Sequence, residues 1–324
     1  MKNVFFTWAG IGDNLVLLGA AYNYYKKFGE KPIIGTDLPF IKYANYATHL
    51  KNLSLKQLDM NFKETIEWLE KNEYNPIFIS AAGYSYLAPT YKNNVTTWCN
   101  NHMITRYCER MGIDGSVDIE IPLNIEKTNP PGKPQTPYVC VMCGGLQSYK
   151  SVPAETVQQI VDFLSNEFLV VQLGNAFDPK LNKTIDFRNC SLIDAFSLLS
   201  DAKFFIGATG GLIHLAKAAN CKTVVLQTTG EPEALMKYNG NIIVKPVDTC
   251  DICARNLLDP QHQRCFNGFK CIRNISAPQV ISVIKNNITY LTTKQNPEPQ
   301  TEIAKQCKAN NLEDYFHMKN TLFI

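Results

Sequence analysis

A glycine-rich turn late in the chain has the composition of an anion-binding loop. The run Gly207-Ala-Thr-Gly-Gly211 follows an apolar segment typical of a strand, and a helical pattern begins at Leu212. The first N–H groups of a helix have no partner within the helix and favour a phosphate there. A tight strand–helix connection that needs glycine for a positive φ would have the same sequence. His214, in the first turn, has three open roles: donor to a phosphate, support of the loop, or core residue.

Two more polar loops each follow an apolar segment that is typical of a strand. They are Gly144-Gly-Leu-Gln-Ser-Tyr-Lys150 and Thr228-Thr-Gly-Glu231-Pro232. Ligands of parallel sheets gather at the carboxyl ends of the strands, where Lys150 would meet a phosphate as a point charge. Glu231 would accept hydrogen bonds from ribose hydroxyls. Each loop alone also fits a solvated surface turn, but three such loops at one sheet edge predict a nucleotide site.

Asp13 is the candidate general base. It stands in Gly10-Ile-Gly-Asp13, between a first apolar segment and a helical pattern. One interpretation is a helix N-cap, a position that aspartate favours. The other is a base in a cleft between two domains. The helix dipole would favour the ionised carboxylate, and the resulting weak base suits a reaction in which the proton leaves late.

Four cysteines close together indicate a metal site. Cys250 and Cys253 have two residues between them, eleven more precede Cys265, and five separate it from Cys271. Four thiols at such spacings are typical of tetrahedral zinc or iron sites, although free cysteines and disulfides are alternatives. The metal would be structural, because no ligand position would be left open.

The composition is that of a globular protein. The 324 residues are 45% hydrophobic and 19% charged, and the net charge of +3 is too small to indicate nucleic acid or an anionic membrane as a partner. No run of 18 apolar residues predicts a membrane span, and the start of the chain is typical of a strand and not of a signal peptide. An odd total of 11 cysteines favours a reducing cytoplasm over a disulfide scaffold.

Strands and helices alternate in both halves of the chain, which predicts an α/β protein with parallel sheets. Apolar periodicity places a strand at 2–8, a helix at 14–28 and a strand at 31–35, and further elements at 61–73, 76–80 and 98–111. The second half has strands at 138–142, 168–173, 203–206 and 223–227, and helices at 153–167, 191–200, 212–219 and 276–287. A segment rich in proline and glycine at 129–137 is the predicted domain boundary. The expected domains are 1–130, 138–290 with a metal lobe at 248–272, and a linker with a tail helix at 291–324.

Three motifs together resemble glycosyltransferase family 9, the ADP-heptose heptosyltransferases. They are the Gly-x-Gly-Asp ending at Asp13, Lys150-Ser-Val-Pro153, and Gly-Gly-Leu-Ile-His-Leu-Ala-Lys-Ala beginning at Gly210. The spacing agrees over roughly residues 3–285. The cysteine set is similar to a cluster that binds iron in family members that include the autotransporter-adhesin heptosyltransferases.

The resemblance implies a GT-B fold, in which two Rossmann-like domains with parallel sheets face a cleft. The N-terminal domain would hold the acceptor and the C-terminal domain the nucleotide sugar, and catalysis would be inverting with no metal at the reacting centre. Asp13 would be the base, and Lys150 and the loop 209–214 would bind the diphosphate. The implied donor-binding residues are Gly12, Lys150, Thr209, Gly210, Gly211, His214, Thr228, Thr229 and Glu231.

One residue departs from the family pattern. The family loop commonly reads Asp-x-Gly-x-x-His, and here Thr209 takes the place of the aspartate. A hydroxyl can still bond a phosphate or cap the helix, but a negative charge near the diphosphate is lost. The departure therefore bears on the identity of the donor sugar.

The resulting hypothesis is a glycosyltransferase that moves a heptose from an ADP-sugar to a hydroxyl of a glycan or protein side chain. Alternatives are a nucleotide-sugar epimerase on the same fold, and a non-catalytic nucleotide-sugar-binding or assembly protein that uses the four-cysteine lobe as its interaction surface. Modified nucleic acid is a further acceptor left open, as is assembly into a homo-oligomer.

Overall fold

A computed structural model describes residues 1–7, 10–36, 39–50, 62–79, 101–144, 150–227, 236–247 and 273–293. Residues 1–293 belong to one compact unit. The predicted linker and tail helix from residue 294 onward lie outside the described residues. The division of residues 1–293 into two domains remains a prediction. This unit contains two separate sheets.

The described N-terminal part contains a parallel sheet in the order β3-β2-β1-β4. Its strands are β1 (Lys2–Phe6), β2 (Ile33–Gly35), β3 (Thr48–His49) and β4 (Tyr74–Phe78). The helices of this part are α1 (Ile11–Phe28), α2 (Phe62–Lys71) and α3 (Met103–Arg110), and a 3-10 turn spans Pro39–Tyr43. Pro76 is tolerated in β4 because this strand pairs on one side only, with β1, in the described sheet.

The second sheet is parallel as well, in the order β10-β9-β8-β5-β6-β7 within the described residues. Its strands are β5 (Tyr138–Met142), β6 (Leu169–Gln172), β7 (Ile185–Asp186), β8 (Phe205–Ala208), β9 (Thr223–Leu226) and β10 (Asn241–Val244). The helices are α4 (Ala154–Leu164), α5 (Leu192–Asp201), α6 (Gly211–Ala218) and α7 (Ala277–Thr292). All residues of β5, β8 and β9 are buried, as expected for central strands covered on both faces.

The longest helix of the N-terminal part, α1, ends where the sequence predicts. Gly29 adopts a left-handed conformation with φ 70°, and its N–H donates to the carbonyl of Tyr25 at 2.9 Å. This is the usual glycine stop of a helix, because glycine enters that region without a steric penalty. The buried face of α1 includes Leu15 and Leu18.

One hydrophobic cluster runs through both sheets. It contains Leu15 and Leu18 of α1, Ile104 and Tyr107 of α3, and Ile213 of α6, together with side chains of β5 and β8. A second cluster lies between the other sheet face and helices α4 and α7. The shared cluster holds α1 and α6 against each other, and this contact positions the candidate site.

The predicted fold class, two parallel α/β sheets, is confirmed, but several predicted element bounds were wrong. Helix α1 begins at Ile11 and not at residue 14, α3 begins at Met103 and not at 98, and α7 runs on to Thr292. The strands β3, β7 and β10 were not predicted; two of them have only two residues, too few for a periodic pattern. Among the described helices, none is both long and apolar enough to span a membrane.

Candidate functional site

Two helix N-termini meet at the candidate site. An ideal Cβ placed on Gly12 of α1 would lie 3.2 Å from the Cα of Gly211, the first residue of α6. In the opposite direction, a Cβ on Gly211 would lie 3.2 Å from the backbone nitrogen of Gly12. The first turns of α1 and α6 therefore touch, and this contact brings the positive ends of two helix dipoles to one place. Such a place favours an anionic ligand.

The glycines in the turn after β8 do not have the conformation that one interpretation of the sequence required. Gly207 lies inside β8, and Gly210 precedes α6 with an extended backbone (φ 169°, ψ −173°). A φ so close to 180° is extended backbone, and none of the glycines of this turn adopts the left-handed conformation, so the interpretation of a tight turn that needs glycine for that conformation was wrong. The need for glycine at 211 comes instead from the close approach of α1.

Asp13 lies in the first turn of α1, two residues inside the helix. The N-cap position belongs to Gly10, so the N-cap interpretation of Asp13 was wrong. The hydroxyl of Tyr107, on α3, donates to Oδ1 of Asp13 at 2.8 Å. Next to it, Asn14 donates to the carbonyl of Gly10 at 3.1 Å and accepts from the Thr36 hydroxyl at 2.6 Å. These bonds hold the first turn and the orientation of the carboxylate.

The imidazole of His214 lies close to the point where the N-termini of α1 and α6 meet. The same ideal Cβ on Gly12 would lie 2.9 Å from Cδ2 and 3.4 Å from Nε2 of this imidazole. Its Nδ1 is 2.6 Å from the hydroxyl of Tyr238. Burial, followed by the nearby charge of Lys150, lowers the pKa of His214 to about 3, so the ring is neutral at physiological pH.

A second histidine packs on the same tyrosine. The rings of His102 and Tyr238 have centroids 4.5 Å apart in an edge-on arrangement. His102 caps α3, because its Nδ1 accepts from the backbone N–H of Ile104 at 3.1 Å, while its buried Nε2 makes no hydrogen bond to any described residue. Burial is the main cause that lowers the pKa of His102 to about 3, and electrostatic repulsion from His214 and Lys217 adds to it.

Lys150 stands where the loop after β5 returns to the sheet. An ideal Cβ on Gly144 would lie 2.7 Å from the Cα of Ser151, and Val152 donates to the carbonyl of Cys143 at 3.0 Å. Gly144 and Ser151 therefore lie side by side just beyond the end of β5. The charge of Lys150 contributes to the lowered pKa of His214, so these two predicted donor-binding residues are near enough to interact.

Thr209 faces the sheet. Thr209 is 2% exposed, and its hydroxyl donates to the carbonyl of Leu226 in β9 at 3.4 Å. The N-cap residue of α6 is Gly210, which makes no side-chain cap bond, so capping, one of the two roles left open for the hydroxyl of Thr209, is not the role that the structure shows. The hydroxyl instead ties the end of β8 to its neighbour.

The remaining predicted residues lie outside the described part of the chain. They are Thr228, Thr229 and Glu231 of the third loop, and the cysteines Cys250, Cys253, Cys265 and Cys271. Within the described residues, no group of three or more histidine, cysteine or acidic side chains could hold a metal ion.

Three residues of the site were missed by the sequence predictions, namely His102, Tyr107 and Tyr238. For Tyr107, the sequence indicated only that a tyrosine hydroxyl lies on the apolar face of a helix, without indicating its partner. His102 and Tyr238 carried no local signal, because their meeting depends on the packing of α3 against the segment after β9.

Two facing parallel α/β sheets, with the ligand-binding loops at the carboxyl ends of their strands, define the GT-B class of fold, and this chain has that fold. No family model and no curated protein sequence matches the chain. Solved structures do match it over most of its length.

Among the similar structures is TibC, an iron-containing dodecameric glycosyltransferase from enterotoxigenic E. coli, with a TM-score of 0.67 and 17% identity over 91% of this chain and 80% of that one. Another is a family 9 glycosyl transferase from Veillonella parvula, with a TM-score of 0.63 and 13% identity over 89% of this chain and 98% of that one. The E. coli ADP-heptose heptosyltransferase II has a TM-score of 0.58 and 12% identity, over 90% of this chain and 99% of that one. At these identities the likeness establishes the fold.

Proposed function

We propose that the protein is an inverting glycosyltransferase that transfers a heptose from an ADP-linked sugar to a hydroxyl of a glycan or a protein side chain. The observation that carries the proposal is the contact between Gly12 and Gly211, because it places the helix turn that bears Asp13 against the anion-binding end of α6. A base beside a diphosphate site is the arrangement that displacement at an anomeric carbon requires. The fold shared with heptosyltransferases supports the same activity.

In the proposed mechanism, Asp13 accepts the proton of the acceptor hydroxyl as its oxygen attacks the anomeric carbon. The bond from that carbon to the diphosphate breaks, and the departing oxygens are stabilised by Lys150 and the first N–H groups of α6. Preorganised electrostatic stabilisation of this kind contributes about 3–4 kcal/mol per donor in well-studied enzymes. Tyr107 holds the carboxylate of Asp13 through its 2.8 Å hydrogen bond.

The donor class is supported by a similar structure and by the site itself. An E. coli heptosyltransferase solved with ADP has a TM-score of 0.55 to this chain, and the TibC enzyme has been solved with ADP-D-beta-D-heptose. In this chain, Gly12, Lys150, Gly210, Gly211 and His214 are the described residues that we assign to the diphosphate. We assign Thr228, Thr229 and Glu231 to the remainder of the nucleotide.

The test begins with thermal stabilisation by ADP-, UDP-, GDP- and CDP-sugars. We expect a selective rise in Tm with ADP compounds, because binding to the native state alone raises stability. Stabilisation by none of the four nucleotides would contradict the proposal. Stabilisation by ADP-sugars without transfer to any acceptor of a glycan and peptide panel would indicate a nucleotide-sugar-binding protein instead.

The role of Asp13 is tested by Asp13→Asn, which keeps the size of the side chain and removes the base. We expect transfer to fall by about 100-fold or more while ADP binding is retained, in line with the loss of a general base. Asp162→Asn is the matched control, since Asp162 is an exposed residue of α4 that pairs with Lys183. Full transfer activity in Asp13→Asn would refute the assignment.

We also propose that Cys250, Cys253, Cys265 and Cys271 bind a structural iron or zinc ion. The donor set fits, since four thiolates satisfy the tetrahedral preference of either metal and leave no open position. TibC is described as iron-containing, which supports iron. Metal analysis of protein purified without chelator should find about one metal per chain, and Cys253→Ser should lose it while Cys190→Ser, at a free cysteine, keeps it. Metal-free wild-type protein would contradict the proposal.

The assembly state is a further proposal. TibC is described as dodecameric, and we propose that this chain also forms a homo-oligomer. Light scattering of the purified protein at several concentrations decides this, and a monomer of 36.5 kDa at all of them would contradict it.

A further inference from the structure

We propose that Tyr238 is a positioning residue of the donor site: its hydroxyl donates to Nδ1 of His214 and holds the imidazole as a neutral donor through Nε2. The oxygen that would accept from Nε2 belongs to the diphosphate or sugar of the donor. The identity of that ligand rests on the proposed function, but the protonation of His214 does not.

The direction of the bond follows from what Tyr238 can do with its proton. Burial raises the pKa of the Tyr238 hydroxyl well above its ordinary value, so the group remains protonated. Its hydrogen bond to Nδ1 of His214, 2.6 Å long, is the one that its hydroxyl makes within the described residues. A buried hydroxyl that accepted from Nδ1 would leave its own proton without an acceptor inside the fold, whereas Nε2 of His214 is not fully buried, so a proton there can meet solvent or a ligand. Nδ1 is therefore the acceptor, and the ring proton of the neutral imidazole is on Nε2.

The protonated nitrogen lies next to the contact between the two helix ends. Nε2 would be 3.4 Å from a Cβ on Gly12, and the Cα of Gly211 would be 3.2 Å from the same point. In the described residues His214 makes no side-chain hydrogen bond besides the one to Tyr238. The ring is thus a nearly buried donor without an acceptor, between two helix N-termini and close enough to Lys150 to feel its charge. Every one of these groups favours an anionic oxygen.

Tyr238 is itself held in place from the N-terminal side. Its ring lies between His102, at a centroid distance of 4.5 Å, and His214, at 5.7 Å, and meets both edge-on. His102 is fixed because its Nδ1 accepts from the N–H of Ile104. The same helix, α3, carries Tyr107, which donates to Asp13. One helix therefore orients the candidate base, Asp13, and also, through Tyr238, the imidazole of His214 that would donate a hydrogen bond to the ligand.

The charges around His214 do not offer a competing explanation for its protonation. Lys150 opposes a positive imidazole, and so does burial, which is the larger cause of the lowered pKa. Lys217, one turn further along α6, is paired with Glu120 at 2.7 Å. Of the two nitrogens of the neutral ring, the hydroxyl of Tyr238 then selects Nε2 for the proton.

The first test reads the protonation directly, in full-length protein without any substrate. The chain has five histidines, so selective ¹⁵N labelling of histidine gives a tractable spectrum, and His214→Gln assigns the signals. In the wild type, we expect Nδ1 of His214 to show the shift of an unprotonated nitrogen and Nε2 that of a protonated one. In Tyr238→Phe, which keeps the ring packed on His102, the two shifts should move toward each other as both neutral forms become populated. A protonated Nδ1 in the wild type, or unchanged shifts in Tyr238→Phe, would overturn the proposal.

The second test measures the consequence for binding and turnover. Tyr238→Phe should weaken ADP binding about three- to tenfold, as the loss of one oriented hydrogen bond does, and kcat should fall by less than kcat/KM. The double variant Tyr238→Phe with His214→Gln should bind no more weakly than His214→Gln alone, because the hydroxyl acts through the imidazole. Additive losses would show that Tyr238 acts otherwise and would overturn its positioning role.

Tyr46→Phe is the matched control. Tyr46 is also buried, but its hydroxyl makes no hydrogen bond within the described part of the chain, so removing that hydroxyl should change neither the His214 shifts nor ADP binding. The two proposals fail in distinguishable ways. Protein with the expected His214 protonation that binds no nucleotide would refute the proposed function, whereas an ADP-binding protein with a protonated Nδ1 would refute the role of Tyr238.

Discussion

At the scale of single residues, the candidate site depends on two tyrosine hydroxyls that reach groups distant in the chain. Tyr107 bonds Asp13, and Tyr238 bonds His214. In both cases the hydroxyl of a buried tyrosine ring orients a side chain of the candidate site. Such pairs are stiff, because the ring is fixed by packing while the hydroxyl selects one orientation of its partner.

Tyr107→Phe tests the first pair. The ring remains in the core, but the carboxylate of Asp13 loses its 2.8 Å donor and samples other orientations. We expect kcat to fall about tenfold with little change in ADP affinity, since one positioning hydrogen bond is lost on the acceptor side. Steady-state kinetics and ADP titration measure the two effects separately. An unchanged kcat would mean that this bond has no part in catalysis.

The two buried histidines predict a loss of stability in acid. Their pKa falls from the ordinary 6.5 to about 3 in the folded state, so the unfolded chain binds more protons than the native one between these values. Stability is therefore present above about pH 6.5 and is lost as the pH falls toward 3. Through each histidine, the free energy of unfolding should be about 2 kcal/mol lower at pH 5 than at pH 7.

Urea denaturation at both pH values measures this effect. His102→Asn can still accept a hydrogen bond at the N-cap but cannot be protonated, so it should remove the share due to His102. Equal acid sensitivity in wild type and His102→Asn would show that His102 is not held neutral.

At the scale of elements, the site depends on how closely α1 approaches α6. Glycine at 12 and 211 permits this approach, because a side chain on either residue would press on the backbone or imidazole of the other helix. Helix propensity alone would favour alanine at both positions. The glycines therefore indicate a packing requirement that local propensity opposes.

Gly12→Ala and Gly10→Ala form a matched pair that tests this requirement. A methyl on Gly12 would lie 2.9 Å from Cδ2 of His214, whereas one on Gly10 would meet nothing within 4 Å, and Gly10 has φ −71°. We expect Gly12→Ala to lower the free energy of unfolding by about 1–3 kcal/mol and to weaken ADP binding. Gly10→Ala should lower it by about 1 kcal/mol at most, the cost of alanine in place of glycine at an N-cap, and should leave ADP binding unchanged. The packing argument fails if the two variants behave alike in urea denaturation and ADP titration.

At the scale of the whole molecule, a continuous core and one ion pair join the two sheets. The larger cluster contains side chains from both sheets. Lys217 of α6, with a side chain 8% exposed, pairs at 2.7 Å with Glu120, in the segment that packs beside α1. The acidic residues of that segment also pair with α1, through Lys26–Asp118 and Lys27–Asp114.

Glu120→Ala should destabilise the protein by about 1–3 kcal/mol, because it leaves the buried ammonium of Lys217 without this partner. Asp114→Ala is the contrasting variant, since Asp114 is 92% exposed and its pair with Lys27 is screened by water. Chemical denaturation should show a clear shift for the first variant and none for the second. Equal shifts would mean that the Lys217–Glu120 pair has no special weight.

Much of the architecture could be predicted from local patterns. Continuous apolar runs such as Tyr138–Met142 marked the central strands, and Gly29 marked the end of α1. Asp13, Lys150 and the turn before Leu212 were recognised as candidates because a strand, a polar loop and a helix follow one another in sequence. The short strands β3 and β7 were missed, since two residues show no period. Of the two roles left open for the hydroxyl of Thr209, local sequence could not exclude capping, because the bond of this hydroxyl to β9 depends on the pairing of strands.

The sequence by itself determined the class of fold, the loops at the carboxyl ends of the strands and the residue types that could bind an anion or accept a proton. These features depend on neighbours along the chain, so periodicity and turn chemistry are sufficient to show them. The tertiary structure alone decided that Gly12 meets Gly211, and that the rings of His102, Tyr238 and His214 form one edge-on cluster. Those contacts join residues far apart in the sequence and follow from the packing of both sheets into one core, which no local pattern encodes.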